Sequence, residues 1–307
     1  MPSRSKYLII NADDFGYCPR RNQAIIDLFN QQAISSASLL VNGDYAQHAC
    51  SLAHASRLPM GIHLNLTEGR PISQDLGHIR SLVDADGFMH GKIGLRDQLA
   101  QRAVHSEHID HELKMQLQRF SELTGGQTPR HIDGHQHIHV HPMIVDSIAR
   151  MANQFGIKYI RLPFDQMLLS SGTDNPFYQS ILDQCTNAES VFDRHALIYP
   201  RYFFGMATMG NEFTLENVER CLKLLERSAS QPILAELMCH PGYPSEPQRG
   251  GCGTGSPDAF SQSIERQHEF NVLSSATVKK LFEQYHVQLC NYDAMPVKSD
   301  CLSAETR

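Results

Sequence analysis

Short apolar runs bounded by polar or turn residues recur along this chain, at residues 7–12, 37–41, 61–66, 131–133, 158–162, 233–238 and 287–290. Runs of that length flanked by turn chemistry predict strands. Between them apolar residues fall at helical spacing: Ile25, Leu28 and Phe29; Leu113, Leu117 and Phe120; Val145, Ile148, Ala149 and Ala152; Val218, Cys221, Leu222 and Leu225. Each set lies along one face of a helix. Strand then helix, repeated six or seven times, predicts parallel strands with helices packed outside them. The expected fold class is α/β: a single-domain, distorted TIM-like (β/α) barrel with mostly parallel strands. Its core covers about residues 6–293, and a flexible tail covers about 294–307. In such a barrel the chemistry sits at the carboxyl ends of the strands.

Two stretches break the alternation. Residues 67–102 carry Gly69, Pro71, Gly77, Gly87, Gly91 and Gly94 with few apolar runs. Residues 241–257 hold five glycines and four prolines. The first reads as an excursion from the third strand and the second as a loop; both leave the catalytic end, placed to wall or cover a cleft.

The net charge of -6 provides no cationic surplus for nucleic-acid phosphates or an anionic bilayer, so neither is expected as a partner. No stretch is long and apolar enough to predict a membrane span. The amino terminus has no signal-peptide pattern, and the eight cysteines are scattered without a CxxC pair. Together these predict a cytoplasmic protein with reduced thiols.

The 17 histidines change the picture, because His131, His135, His137, His139 and His141 follow a two-residue spacing interrupted by Asp133. Such a run shares one side of an extended chain or wraps a turn at a strand end, in either case offering several imidazoles to one point, or else forms a solvated loop. Neutral imidazole is a common ligand for divalent metals. Asp13 and Asp14 leave the first strand together. One reading is a helix N-cap, but a cap uses one carboxylate, whereas a metal ligand beside a general base uses two. His63, near the end of the third strand, is either a hydrogen-bonded core histidine or a ligand. Arg161 either makes a structural ion pair or points a cation into the barrel mouth to hold a carboxylate. Glu236, Met238 and His240 share one strand face by alternation, and so form either a buried ion pair or a carboxylate and imidazole in the site. Cys239 faces the other way. No GxSxG, GxxxxGK[ST], GxGxxG or HExxH motif occurs.

Taken in order, NADDFG, GIHLNLT, HIDGHQHIHVHP and LMCHPGY resemble the motifs of the YdjC-like carbohydrate deacetylases, which include chitooligosaccharide deacetylases and hopanoid-associated relatives. The resemblance spans roughly residues 6–293. It implies hydrolysis of an N-acetyl group from an amino sugar or N-acetylated carbohydrate, with one divalent metal ion, magnesium or zinc, on Asp14, His63 and His135. Asp13 would be the base that takes a proton from the attacking water. The family-4 polysaccharide deacetylases are similar in their paired aspartate and two histidines, and imply His240 as the acid that gives a proton to the departing amine. Arg161, His137 and Glu236 would contact substrate, and a homodimer is allowed for. Rival readings are another metal-dependent barrel enzyme, such as a sugar isomerase or phosphoesterase, and a histidine-rich metal-binding protein without catalysis.

Overall fold

The computed structural model describes residues 6–227 and 232–294; the tail expected over about 294–307 lies almost wholly outside them. Seven parallel strands run as β1 (Lys6–Phe15), β2 (Ser36–Leu39), β3 (Met60–Leu64), β4 (Ile132–Gly134), β5 (Tyr202–Phe204), β6 (Ile233–Cys239) and β7 (Val287–Leu289). Their order is β4-β3-β2-β1-β6-β5, with β7 also paired to β1. Isolated parallel bridges from Ile132 to Ile160, Tyr159 to Ile198 and Asp165 to Phe203 carry the ring from β4 round to β5. The result is a distorted barrel wrapped by helices, as the alternation predicts.

Six of the seven apolar runs are strands. Residues 158–162 form only bridges, because Pro163 has no N–H to continue a ladder and the chain turns there, Phe164 N donating to Leu162 O. The three-residue β5 stands behind Pro200 and was too short to register as a run.

β1 is the central element. β6 covers one edge along Lys6–Ala12, while the other edge is shared by β7 at Lys6–Leu8 and β2 at Asn11–Phe15. Buried on both sides, β1 reads as a continuous apolar run until its last residues. The helices Pro19–Asn30, Ser106–Leu123, Val145–Gln154 and Leu215–Glu226 bury the faces identified by their spacing. Among the described residues, no helix is long and apolar enough to cross a membrane.

Candidate active site

Successive residues of a strand point to opposite faces, so Asp13 and Asp14 should diverge. They do not, because the register of β1 against β2 shifts between Ala12 and Phe15 and Asp14 takes a left-handed conformation, φ 60°. Both carboxylates then line one cavity. The following helix is capped instead by Cys18, whose sulfur accepts from Arg21 N, so neither aspartate serves as its N-cap.

The cavity measures about 260 Å³ and is lined by Asp13, Asp14, His63, His135, His137 and His240, with Lys92, Phe177, Tyr178, Met206, Met209, Met238, Asp258 and Phe260 completing most of the wall. Asp13, Asp14, His63 and Met238 lie in the last residues of β1, β3 and β6, and His135 and His240 directly follow β4 and β6. A larger open groove lies where β3 and β4 begin, around Pro59, Met60 and Arg130, and contains none of these groups.

Asp14, His63 and His135 each offer one ligand atom, all within 4.8 Å of one another. Their hydrogen bonds decide what those atoms present. His63 Nδ1 donates to Asp133 Oδ1 at 2.7 Å, which leaves the Nε2 lone pair 3.5 Å from Asp14 Oδ1. His135 Nε2 donates to Glu68 Oε2 at 2.9 Å, which leaves Nδ1 at 3.1 Å from the same oxygen. Arg21 occupies the other oxygen, Asp14 Oδ2, at 2.7 Å. Two imidazole lone pairs and one carboxylate oxygen therefore face each other. Three acceptors meeting this closely need a cation or a proton between them, so the donor set fits a divalent ion.

The charges point the same way. Burial alone would lower His135, but hydrogen bonds and charge from Asp14 and Glu68 outweigh it and raise it to about 10. Burial alone would raise Asp14, yet His135 and Arg21 hold its carboxyl well below the usual range. A second grouping, Asp13, His63 and Asp133, is already neutralised by a guanidinium. Arg161 is fully buried and donates to Asp13 through Nη1 at 2.6 Å and Nη2 at 2.7 Å, to Glu236 at 2.8 Å, and pairs with Asp133 at 3.0 Å.

Three carboxylates thus draw Arg161 inward. Neither it nor Glu236 is among the residues that line the cavity. Arg161 instead fixes the direction of the Asp13 carboxylate.

The histidine run is a turn, and its members separate. After β4 the chain enters a 3-10 turn, His135–Val140, with Gln136 and His137 both left-handed. Only His135 joins the ion group. His137 lines the cavity. His139 donates from Nε2 to Arg161 O at 3.1 Å. His131 stacks on Tyr292, ring centres 3.9 Å apart.

His240 directly follows β6 and lines the cavity, with its backbone N–H on Glu269 Oε2 and Nε2 3.9 Å from Asp13 Oδ2. Burial, opposed by Asp14 and Asp13, pushes it down to about 3, so it is neutral near pH 7. Cys239 points away, donates to Asn11 O, and has its thiol pushed far up by burial.

Sequence reasoning missed Glu68, Asp133, Arg21 and Asn11 as site residues. Asn11 donates to Asp13 Oδ1 at 2.8 Å. Asp133, the carboxylate inside the histidine run, and Asn11, which opens NADDFG, carried a visible signal, whereas Glu68 and Arg21 lie outside the four motifs. The 241–257 loop is pinned rather than free: Gly251 N donates to Tyr17 O, Asp44 N to Gly251 O, and Arg70 N to Cys252 O at 2.7 Å.

Comparison with known proteins agrees with this architecture. The pattern of the YdjC-like protein family matches residues 7–284. The chain is 40% identical to a carbohydrate deacetylase of Danio rerio, covering 95% of this chain and 99% of that one. It is 39% identical to a carbohydrate deacetylase of Homo sapiens, covering 95% and 91%. It is 31% identical to a chitooligosaccharide deacetylase of Salmonella typhimurium, covering 89% and 93%. A crystal structure from Enterococcus faecalis, named for cellobiose-phosphate cleavage, superposes with a TM-score of 0.75 at 23% identity over 94% of this chain and 98% of that one, a likeness of fold.

Proposed function

Because the chain belongs to the YdjC-like protein family, we propose that it is a metal-dependent deacetylase that hydrolyses the N-acetyl group of an amino sugar or oligosaccharide. The deacetylases to which it is similar support the substrate class. The observation that carries the reading is the convergence of Asp13, Asp14, His63, His135 and His240 on one cavity. The separation of the five clustered histidines weighs against a storage role, since only His135 belongs to the ion group.

Asp14, His63 and His135 would hold the ion, and two imidazole nitrogens beside one carboxylate suit zinc better than magnesium. A divalent ion in such a site supplies Lewis-acid chemistry, polarising a carbonyl and bringing the pKa of water to roughly 7. Asp13, aimed by Arg161 and Asn11, accepts the proton of the water that attacks the acetamide carbonyl. An amide nitrogen departs only once protonated. His240 is neutral before reaction, so it cannot start as the charged acid. It receives the proton from Asp13 Oδ2, 3.9 Å from its Nε2, and passes it to the leaving nitrogen as the C–N bond breaks. The products are acetate and the free amine.

The test is acetate release from N-acetylglucosamine oligomers by ion-loaded protein. Asp13→Asn should cost at least about 100-fold in kcat while ion binding persists. Asp14→Asn should lose both. Unchanged turnover in either variant would refute the assignment.

A further inference from the structure

Each proposed ion ligand is aimed by a neighbour, and for His135 that neighbour is a residue outside the four sequence motifs. We propose that Glu68 is a positioning residue for His135, holding the imidazole so that Nδ1 presents a lone pair beside Asp14 and His63. This inference rests on the metal reading of the site.

The two histidines turn opposite nitrogens toward Asp14: His63 uses Nε2 and His135 uses Nδ1. An imidazole can present either nitrogen, so something must choose. For His63 the choice is made by Asp133, which takes the Nδ1 proton. For His135 it is made by Glu68, whose Oε2 takes the Nε2 proton at 2.9 Å. The need is greater at His135. Its ring leaves a turn in which the next two residues are left-handed, so no regular ladder orients it. Without an acceptor at Nε2, the tautomer with its proton on Nδ1 would aim that proton at the ion position.

Glu68 is itself held firmly. The buried Asn65 side chain accepts from Glu68 N at 2.9 Å and donates to Glu68 O at 2.9 Å, and Asn42 Nδ2 donates to the same carbonyl. Two residues on, Arg70 N is tied to Cys252 O. Tyr17 OH donates to Glu68 Oε1 at 3.4 Å. Glu68 is not among the residues lining the cavity, so it acts through His135 and not on substrate.

Carboxylates that hydrogen-bond a ligating histidine typically matter by about 10- to 100-fold in metal affinity. The experiment is calorimetric titration of Zn²⁺ into metal-stripped full-length protein, on variants whose circular dichroism matches the wild type. Glu68→Ala should weaken binding by about 10- to 100-fold. Glu68→Gln, whose carbonyl oxygen still accepts from Nε2, should recover part of the loss, and at saturating Zn²⁺ the KM of Glu68→Ala for substrate should stay at the wild-type value. Affinity within twofold of wild type in Glu68→Ala overturns the role of Glu68. Should that variant fail to fold, wild-type affinity together with a shifted KM in Glu68→Gln overturns it equally. A wild-type protein that takes up no Zn²⁺ overturns the metal reading beneath it.

Discussion

At the residue scale, the site is built by pairing every buried charge. Arg161 serves three carboxylates, Asp13, Asp133 and Glu236, each almost fully buried. Removing it would leave their charges without compensation. Breaking a buried ion pair by deleting one partner costs about 3–5 kcal/mol, so Arg161→Met should lose at least that much in urea denaturation at pH 7.5. The loss should shrink near pH 5, where Glu236, which burial pushes up, can take up a proton. A loss below about 1 kcal/mol would show that the guanidinium does not hold this cluster together. The same residue explains why a strand-end arginine reads ambiguously in sequence. Its partners are 148, 28 and 75 positions away, and no local pattern connects them.

At the scale of elements, the loops around the barrel mouth act as struts. The glycine-rich segment after β6 packs Cys252 against Tyr17, Cys18 and Leu40, and its backbone binds the segment after β3. Gly69 sits at that crossing with φ 78°, and a Cβ there would run into Cys252. Gly125 has a similar φ, 69°, but open space around it. Gly125→Ala should therefore cost only the left-handed penalty, roughly 1–2 kcal/mol. Gly69→Ala adds the clash and should lower the melting temperature further. Equal melting temperatures for the two variants would mean the clamp yields freely. β1 makes a related point: its apolar pattern shows a strand, while its bulge, which brings Asp13 and Asp14 to one side, depends on β2 pairing in shifted register.

For the whole molecule, buried histidines tie stability to pH in two directions. Burial, with Asp133 opposing it and Arg161 aiding it, pushes His139 down to about 3 from an ordinary 6.5. Between those values the unfolded chain binds a proton that the folded chain refuses. Stability therefore falls as pH drops below 6.5, by up to about 1.4 kcal/mol per pH unit. His141, pushed down to about 4 by burial, adds to the same limb. His135 works oppositely, since raised to about 10 it keeps its proton in the fold above 6.5, and that stability is lost as pH climbs toward 10. Metal-free protein should accordingly be most stable near pH 6.5, with melting temperatures declining on both sides. A melting temperature flat from pH 5 to 9 would contradict this balance.

Much of the molecule was open to reading from its residues alone. Hydrophobic periodicity is a local property, and it determined six strands, the main helices, their parallel order and the end of the barrel where Asp13, Asp14, His63, His135 and His240 gather. Tertiary structure decided the rest. It turned Asp14 by a bulge, gave Arg161 and Glu236 to the interior instead of the cavity, dispersed the histidine run, and brought Glu68 to His135 and Arg21 to Asp14. The reason is that a side chain's role in a buried polar cluster is set by which charges reach it through space. Hydrogen bonds and ion pairs act over about 3 Å, and the chain brings those partners together from positions 7 to 148 residues apart.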